Sequence, residues 1–267
     1  MSVAAGVSPF LVRFEARPSA SSRLLCFPHA GGSATAFATW HRYLPPEIEV
    51  WGVQLPGRDS RHTEAPITSM EYLIARLADG ARALHDRPLA LFGHSLGGLI
   101  AFEYARHLRR AGLLAPQNLL VSAVRAPQHA RASVISHLPR AEFLNEVTRR
   151  YDGIPKLILE SAEMLEYFLP ILRADLALLE SYRYAVEPPL ACPIVAFGGA
   201  SDPRVHETEL ALWRSQTETQ FAARLFPGKH FYLTSARDAL LATICEVLRP
   251  LLRDDVQAFD GKGIEWS

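Results

Sequence analysis

Residues Leu89 to Leu99, LALFGHSLGGL, constrain this chain more than any other stretch. The apolar run Leu89-Ala90-Leu91-Phe92 reads as a buried strand, and a helix follows the turn Gly93-His94-Ser95-Leu96-Gly97. A serine with glycines two residues to either side, between strand and helix, marks a sharp turn that lifts a hydroxyl above the end of a sheet. Gly93 and Gly97 leave room where a Cβ would meet neighbouring backbone, and Gly98 lets the helix pack close to the strands. Ser95 is therefore a candidate nucleophile.

The rest of the chain supplies a sheet for that turn. Apolar runs at Arg23–Phe27, Glu49–Leu55, Asn118–Val124, Pro193–Phe197 and Gln220–Phe226 read as strands, with Pro9–Phe14 as an edge strand. Helices are predicted over Ala36–Tyr43, over Ser69–His85 with Tyr72, Leu73, Leu77 and Leu84 on the buried face, over Gly97–Arg110, through Leu210–Trp213, and over Ala236–Leu252. Strands alternating with helices imply a mostly parallel central sheet with helices on both faces, an α/β fold. Ligands in such sheets bind beyond the carboxyl ends of the strands, where Ser95 and the loop His29-Ala30-Gly31-Gly32 both fall. The expected division is a core of residues 1–126 and 190–252, a helical insertion at 127–189, and a flexible tail at 253–267.

The insertion has no strand candidate, and its apolar residues from Lys156 to Tyr184 wrap around more than one helical face. A surface helix needs only one apolar stripe, so the surplus suggests a lid, packed on the core and lining an apolar channel. A plain buried insertion is the alternative. Phe168 and Leu169 are the candidates for the substrate-facing side, and Pro170 is expected to kink or break the run. Asp152 and Asp175 in this segment read as exposed charges.

Composition narrows the function. With Lys+Arg and Asp+Glu both at 28, the formal charge is zero, unlike the basic excess of most nucleic-acid binders. Cys26, Cys192 and Cys245 are odd in number and far apart, which suggests neither a disulfide framework nor a zinc ribbon. The amino terminus lacks a signal-peptide pattern, and no apolar run is long enough to span a membrane. A cytoplasmic monomer with no membrane contact is expected. No metal-ligand cluster, P-loop or dinucleotide fingerprint is present, so neither a metal nor a cofactor is implied.

A serine hydroxyl needs a base, usually histidine, to take its proton. Of the ten histidines, His230 follows the last predicted strand and lies on the same sheet edge as Ser95. Asp202 follows the preceding strand, 28 residues earlier, and completes the order Ser, acid, His. The loop after the fourth core strand contains no carboxylate to compete with it. His94 points away from its neighbour across the turn and is assigned to packing, while His29 is placed to touch substrate. The N–H groups of Leu96 and of Ala30, with Gly31 the near alternative, are the candidate oxyanion-hole donors.

The segments LLCFPHAGGSATAF, LPGRDSRH, GHSLGG, RADLALLESY, GGASDP and GKHFYL resemble, in that order, the type II thioesterases of polyketide and non-ribosomal peptide assembly lines. The likeness runs from about Leu24 to Leu252. It implies an α/β-hydrolase fold and hydrolysis of acyl thioesters carried on the phosphopantetheine arm of acyl or peptidyl carrier proteins. The resemblance also implies Ser95, Asp202 and His230 as triad, with Ala30 and Leu96 in the oxyanion hole. Arg58 and Arg61 would then meet a phosphate or an acidic carrier surface, or else pair locally. An oxygen-ester hydrolase, an acyltransferase with the same triad, and a non-catalytic binding module are the rival readings.

Overall fold

Seven short strands build one sheet in the computed structural model, which describes residues 8–130, 134–151 and 156–252. Their order across the sheet is β1-β3-β2-β4-β5-β6-β7. The strands are β1 (Leu11–Arg13), β2 (Ser22–Phe27), β3 (Ile48–Val53), β4 (Leu89–His94), β5 (Asn118–Ser122), β6 (Ile194–Gly199) and β7 (Phe221–Phe226). Only β1, at the edge, runs antiparallel to its neighbour. Because side chains alternate along a strand, each buried strand feeds both faces. Leu25, Leu91, Leu119 and Ile194 point into one apolar layer, and Leu24, Phe92, Leu120 and Val195 into the other.

Helices cover both layers. On the first face pack α1 (Met70–Ala81) and α2 (Leu96–Arg110), with Leu210 of α6 (Glu207–Ala211) and Trp213 beside them. The second face is closed by Phe37 and Trp40 and by α8 (Arg237–Leu248), which follows the short α7 (Tyr232–Ser235). Ser69 caps α1 by accepting from the Tyr72 N–H at 3.3 Å. Among the described residues no helix is long and apolar enough to cross a membrane.

Several sequence expectations need correction. The expected helix over Ala36–Tyr43 is a pair of 3₁₀ turns, Ala34–Phe37 and Trp40–Arg42. Phe37 and Trp40, the rings this segment buries, lie three residues apart, the repeat of a 3₁₀ turn. Tyr72 is exposed, and Ile74 takes the buried place beside Leu73 and Leu77. Between β5 and β6 lie α3 (Arg140–Tyr151), α4 (Lys156–Glu160) and α5 (Ala162–Ser181). Pro170 does not break α5, which continues through it. Proline removes one helical N–H and frees the carbonyl four residues back, but Pro170 and Glu166 both face solvent, where water satisfies that carbonyl. The packed residues on either side, Leu169, Ile171 and Leu172, hold the helix in place. Asp175 is buried rather than exposed, because Arg58 and the Gly31 N–H supply partners for its carboxylate. Asp152, residues 1–7 and the expected tail at 253–267 lie outside the described residues.

Candidate active site

Ser95 stands between β4 and α2 with φ 54° and ψ −119°, a conformation that side-chain-bearing residues rarely adopt. Its own N–H donates to the Ser122 carbonyl of β5 at 2.8 Å, which anchors the turn to the neighbouring strand. The flanking glycines are required by space. A Cβ on Gly93 would come to 2.2 Å from the Gly97 carbonyl oxygen, and one on Gly97 to 2.1 Å from the carbonyl oxygen of Phe27. The turn is thus pressed against the end of β2, just before the His29–Gly32 loop.

Two further loops at the same sheet edge bring up the other candidates. Asp202 follows β6 and His230 follows β7, and both are buried. His230 Nδ1 lies 2.8 Å from Asp202 Oδ2, and its Nε2 lies 3.1 Å from Ser95 Oγ. The other Asp202 oxygen accepts the Arg204 N–H at 2.9 Å, so both lobes of the carboxylate are held. With Nδ1–H donating to Asp202, Nε2 is left as acceptor for the serine proton.

Electrostatics favours that protonation state. Burial lowers the His230 pKa below 6.5; the hydrogen bond and charge of Asp202 oppose this, and the charge of Arg204 adds to it. For Asp202, burial acts upward, but the His230 hydrogen bond and charge and the Arg204 N–H outweigh it and keep the carboxyl below its ordinary value. Arg204 Nη1 approaches His230 Nε2 to 3.4 Å. The arginine was missed from the sequence, where it is simply the second residue after Asp202.

The remaining sequence candidates divide. His94 is buried and turned away from Ser95; its Nδ1 lies 2.9 Å from Ser122 Oγ, which is 2.6 Å from the Tyr232 hydroxyl. His29 stacks edge-on against Phe231 at 5.0 Å and near His94 at 5.9 Å. Burial, then the His230 and Arg58 charges, push its pKa down to about 4, so it is neutral at physiological pH. Leu96 begins α2, where the first N–H groups have no helical partner. Ala30 touches both the main core and the apolar cluster of the insertion. Phe168 lines a cavity of about 560 Å³ between the His29–Gly32 loop and α5, together with Gly31, Arg58, Met164 and Tyr167. Leu169 is buried in the insertion's own cluster with Phe143 and Val147, and the structure does not bring it to that cavity. A second depression, about 680 Å³, lies between the Pro227–Gly228 turn and the start of α8, and none of the candidate residues lines it.

Arg58 and Arg61 are buried, and this settles which of their two readings holds. Arg58 forms a forked ion pair with Asp175 at 2.6 and 2.7 Å, and Arg61 pairs with Glu64 at 2.5 Å. Neither guanidinium is available to an incoming anion. Asp175 could have been suspected from sequence, because a carboxylate on an apolar helix face requires a partner.

Comparison with known proteins finds relatives of the chain as a whole. A family model described as the thioesterase domain matches residues 22–248. The chain is 39% identical to the gramicidin S biosynthesis protein GrsT of Aneurinibacillus migulanus over 247 residues, 92% of this chain and 96% of that one. Its structure is similar to the RedJ thioesterase from the prodiginine pathway of Streptomyces coelicolor, with a TM-score of 0.81 and 39% identity over 86% of this chain and 87% of that one. It is also similar to the type II thioesterase BorB from the borrelidin cluster, with a TM-score of 0.79 and 38% identity over 90% and 96% of the two chains.

Proposed function

The chain belongs to the thioesterase domain family, and on that premise we propose that Ser95, His230 and Asp202 hydrolyse acyl thioesters carried on the phosphopantetheine arm of acyl or peptidyl carrier proteins. The fold is that of the α/β-hydrolases, and the enzyme is a thioester hydrolase similar to the type II thioesterases of polyketide and non-ribosomal peptide pathways. The observation that carries the residue assignment is the continuous line from Asp202 through His230 to Ser95, with hydrogen-bond distances of 2.8 and 3.1 Å.

In this scheme Ser95 Oγ attacks the thioester carbonyl while His230 Nε2 takes its proton, and Asp202 stabilises the imidazolium. The N–H groups of Ala30 and Leu96 bind the oxyanion. The C–S bond then breaks, His230 returns the proton to the departing thiolate, and the acyl group stays on Ser95. A thiol leaves readily (pKa about 8.5 for a cysteine-like thiol), so this step needs less acid assistance than amide cleavage. Water deprotonated by His230 then releases the acid and restores the serine. The phosphopantetheine arm is substrate, and no resident cofactor enters the scheme. The cavity beside Phe168 is the proposed path for the acyl chain.

Matched substrates test the reading. An acyl-loaded carrier protein or acyl-pantetheine thioester should be hydrolysed at least about 10-fold more efficiently than the oxygen ester of the same acyl group. Equal or reversed preference would assign the enzyme to oxygen esters, and transfer of the acyl group to an added amine in place of water would make it an acyltransferase.

The pH profile tests the base. Protonated His230 cannot accept the serine proton, so kcat/KM should fall as pH drops through its pKa, which burial holds below 6.5. Activity should therefore be on its plateau at pH 7 and decline about 10-fold per pH unit below the inflection. A profile flat down to pH 4 would remove His230 from that role.

A further inference from the structure

Helix α5 touches the loop after β2 at three points on one face. Phe168, Leu172 and Asp175 are spaced i, i+4 and i+7, so they line up along the helix. Phe168 and Leu172 lie against Gly31, where a Cβ would be 2.7 Å from Phe168 Cζ and 3.3 Å from Leu172 Cδ1. Gly31 also has φ +77°, a backbone that side-chain-bearing residues disfavour. One helical turn further on, Asp175 Oδ2 accepts the Gly31 N–H at 2.7 Å.

Arg58 completes the hold. Its guanidinium meets both oxygens of Asp175 and donates to the Gly32 carbonyl at 2.9 Å. Gln54 extends the arrangement by accepting the Ala34 N–H at 3.3 Å and donating to the Arg58 carbonyl at 3.3 Å. The Gly32 N–H closes a turn on the His29 carbonyl at 2.9 Å. The N–H groups of Gly31, Gly32 and Ala34 thus all have protein acceptors, while that of Ala30 has none among the described residues.

We propose that Asp175 is a positioning residue for acyl transfer: from α5 it captures the Gly31 N–H and, with Arg58, sets the loop so that the Ala30 N–H is the one presented to the substrate carbonyl oxygen. This rests on the triad and oxyanion hole described above. A loop containing Gly31-Gly32 has many conformations open to it, and a donor that must be ordered during the reaction stabilises the transition state less than one already in place. Asp175 also occupies the Gly31 N–H, the neighbouring donor in the same loop. The helical insertion therefore does more than wall the cavity, because its α5 supplies the anchor for the oxyanion loop.

The test uses the full-length enzyme, with rates normalised to serine sites titrated to completion by a fluorophosphonate. Asp175→Ala removes the acceptor of the Gly31 N–H, which an asparagine could retain by placing its one oxygen at the Oδ2 position. Its kcat should fall about 10²-fold, the loss expected for one oxyanion donor, with KM within about twofold and the acid limb of the pH profile unmoved. Affinity for an alkyl boronic acid, whose serine adduct is tetrahedral, should fall in parallel. A purely structural role would lower the melting temperature and the number of titratable sites, and leave the rate per site alone. The double variant Arg58→Met/Asp175→Leu leaves no buried charge unpaired and should melt close to the parent protein, yet remain about 10²-fold slow. Parental turnover per site in either variant overturns the proposal. If Ser95→Ala is inactive in that case, the failure is confined to Asp175; if Ser95→Ala is active, the triad itself is wrong.

Discussion

Replacing Ser95 with alanine should lower kcat by about 10⁴-fold or more while leaving KM near that of the parent enzyme. The size follows from what the hydroxyl does, since without it no acyl-enzyme forms and only the oxyanion donors and substrate binding remain to accelerate direct hydrolysis. The Ser95 side chain makes one hydrogen bond, to His230 at 3.1 Å, and its backbone is held separately by the Ser122 carbonyl. Alanine can occupy the same position at no greater backbone cost than serine, so the melting temperature should change little. Thermal melts together with steady-state hydrolysis of an acyl-pantetheine thioester check both halves. Turnover at the parental rate would remove Ser95 from the chemistry, and a collapse in melting temperature would show that the turn depends on the hydroxyl.

Asp202→Asn should cost on the order of 10⁴ in kcat, although it changes one atom and keeps the shape. Asp202 Oδ1 accepts the Arg204 N–H, so an asparagine keeping its oxygen there presents its amide nitrogen to His230 Nδ1. Nδ1 must then accept, which moves the ring proton to Nε2, the nitrogen facing Ser95. A protonated Nε2 cannot take the serine proton. The variant also loses the charge that stabilises the imidazolium, and with it the hydrogen bond that raises the His230 pKa against its burial. Single-turnover acylation by stopped flow, with an NMR readout of the imidazole tautomer, decides the matter. A variant with Nε2 still unprotonated and acylation within about 10-fold of the parent would show that orientation by Asp202 is dispensable.

Ser95, Asp202 and His230 are legible from chain order and local chemistry, whereas other parts of the fold depend on packing between distant segments. The Ala36–Tyr43 segment has helical composition, but the second apolar layer takes up Phe37 and Trp40 from two tight turns. Tyr72 fits the apolar face of α1 by spacing, yet it stands at the edge of that face and is exposed, with Ile74 buried instead. Pro170 is a helix breaker by local rule, and it is accommodated because its free carbonyl partner faces water while flanking leucines and Ile171 are packed. Each difference arises from burial against elements distant in sequence, which local propensity does not contain.

The serine turn, the parallel sheet and the order Ser95, Asp202, His230 at successive strand ends were determined by the sequence itself. Their requirements are short-range: glycine spacing within one turn, apolar runs of strand length, and a polar residue just past each strand end. Only the folded chain decided what Asp175, Arg58 and Arg61 do. Asp175 and Arg58 are 117 residues apart, and the energetic reason to bury either charge exists only when the other is within reach. The partner of the Gly31 N–H, on which the proposal of Ala30 as oxyanion donor rests, likewise comes from a helix 144 residues further along the chain.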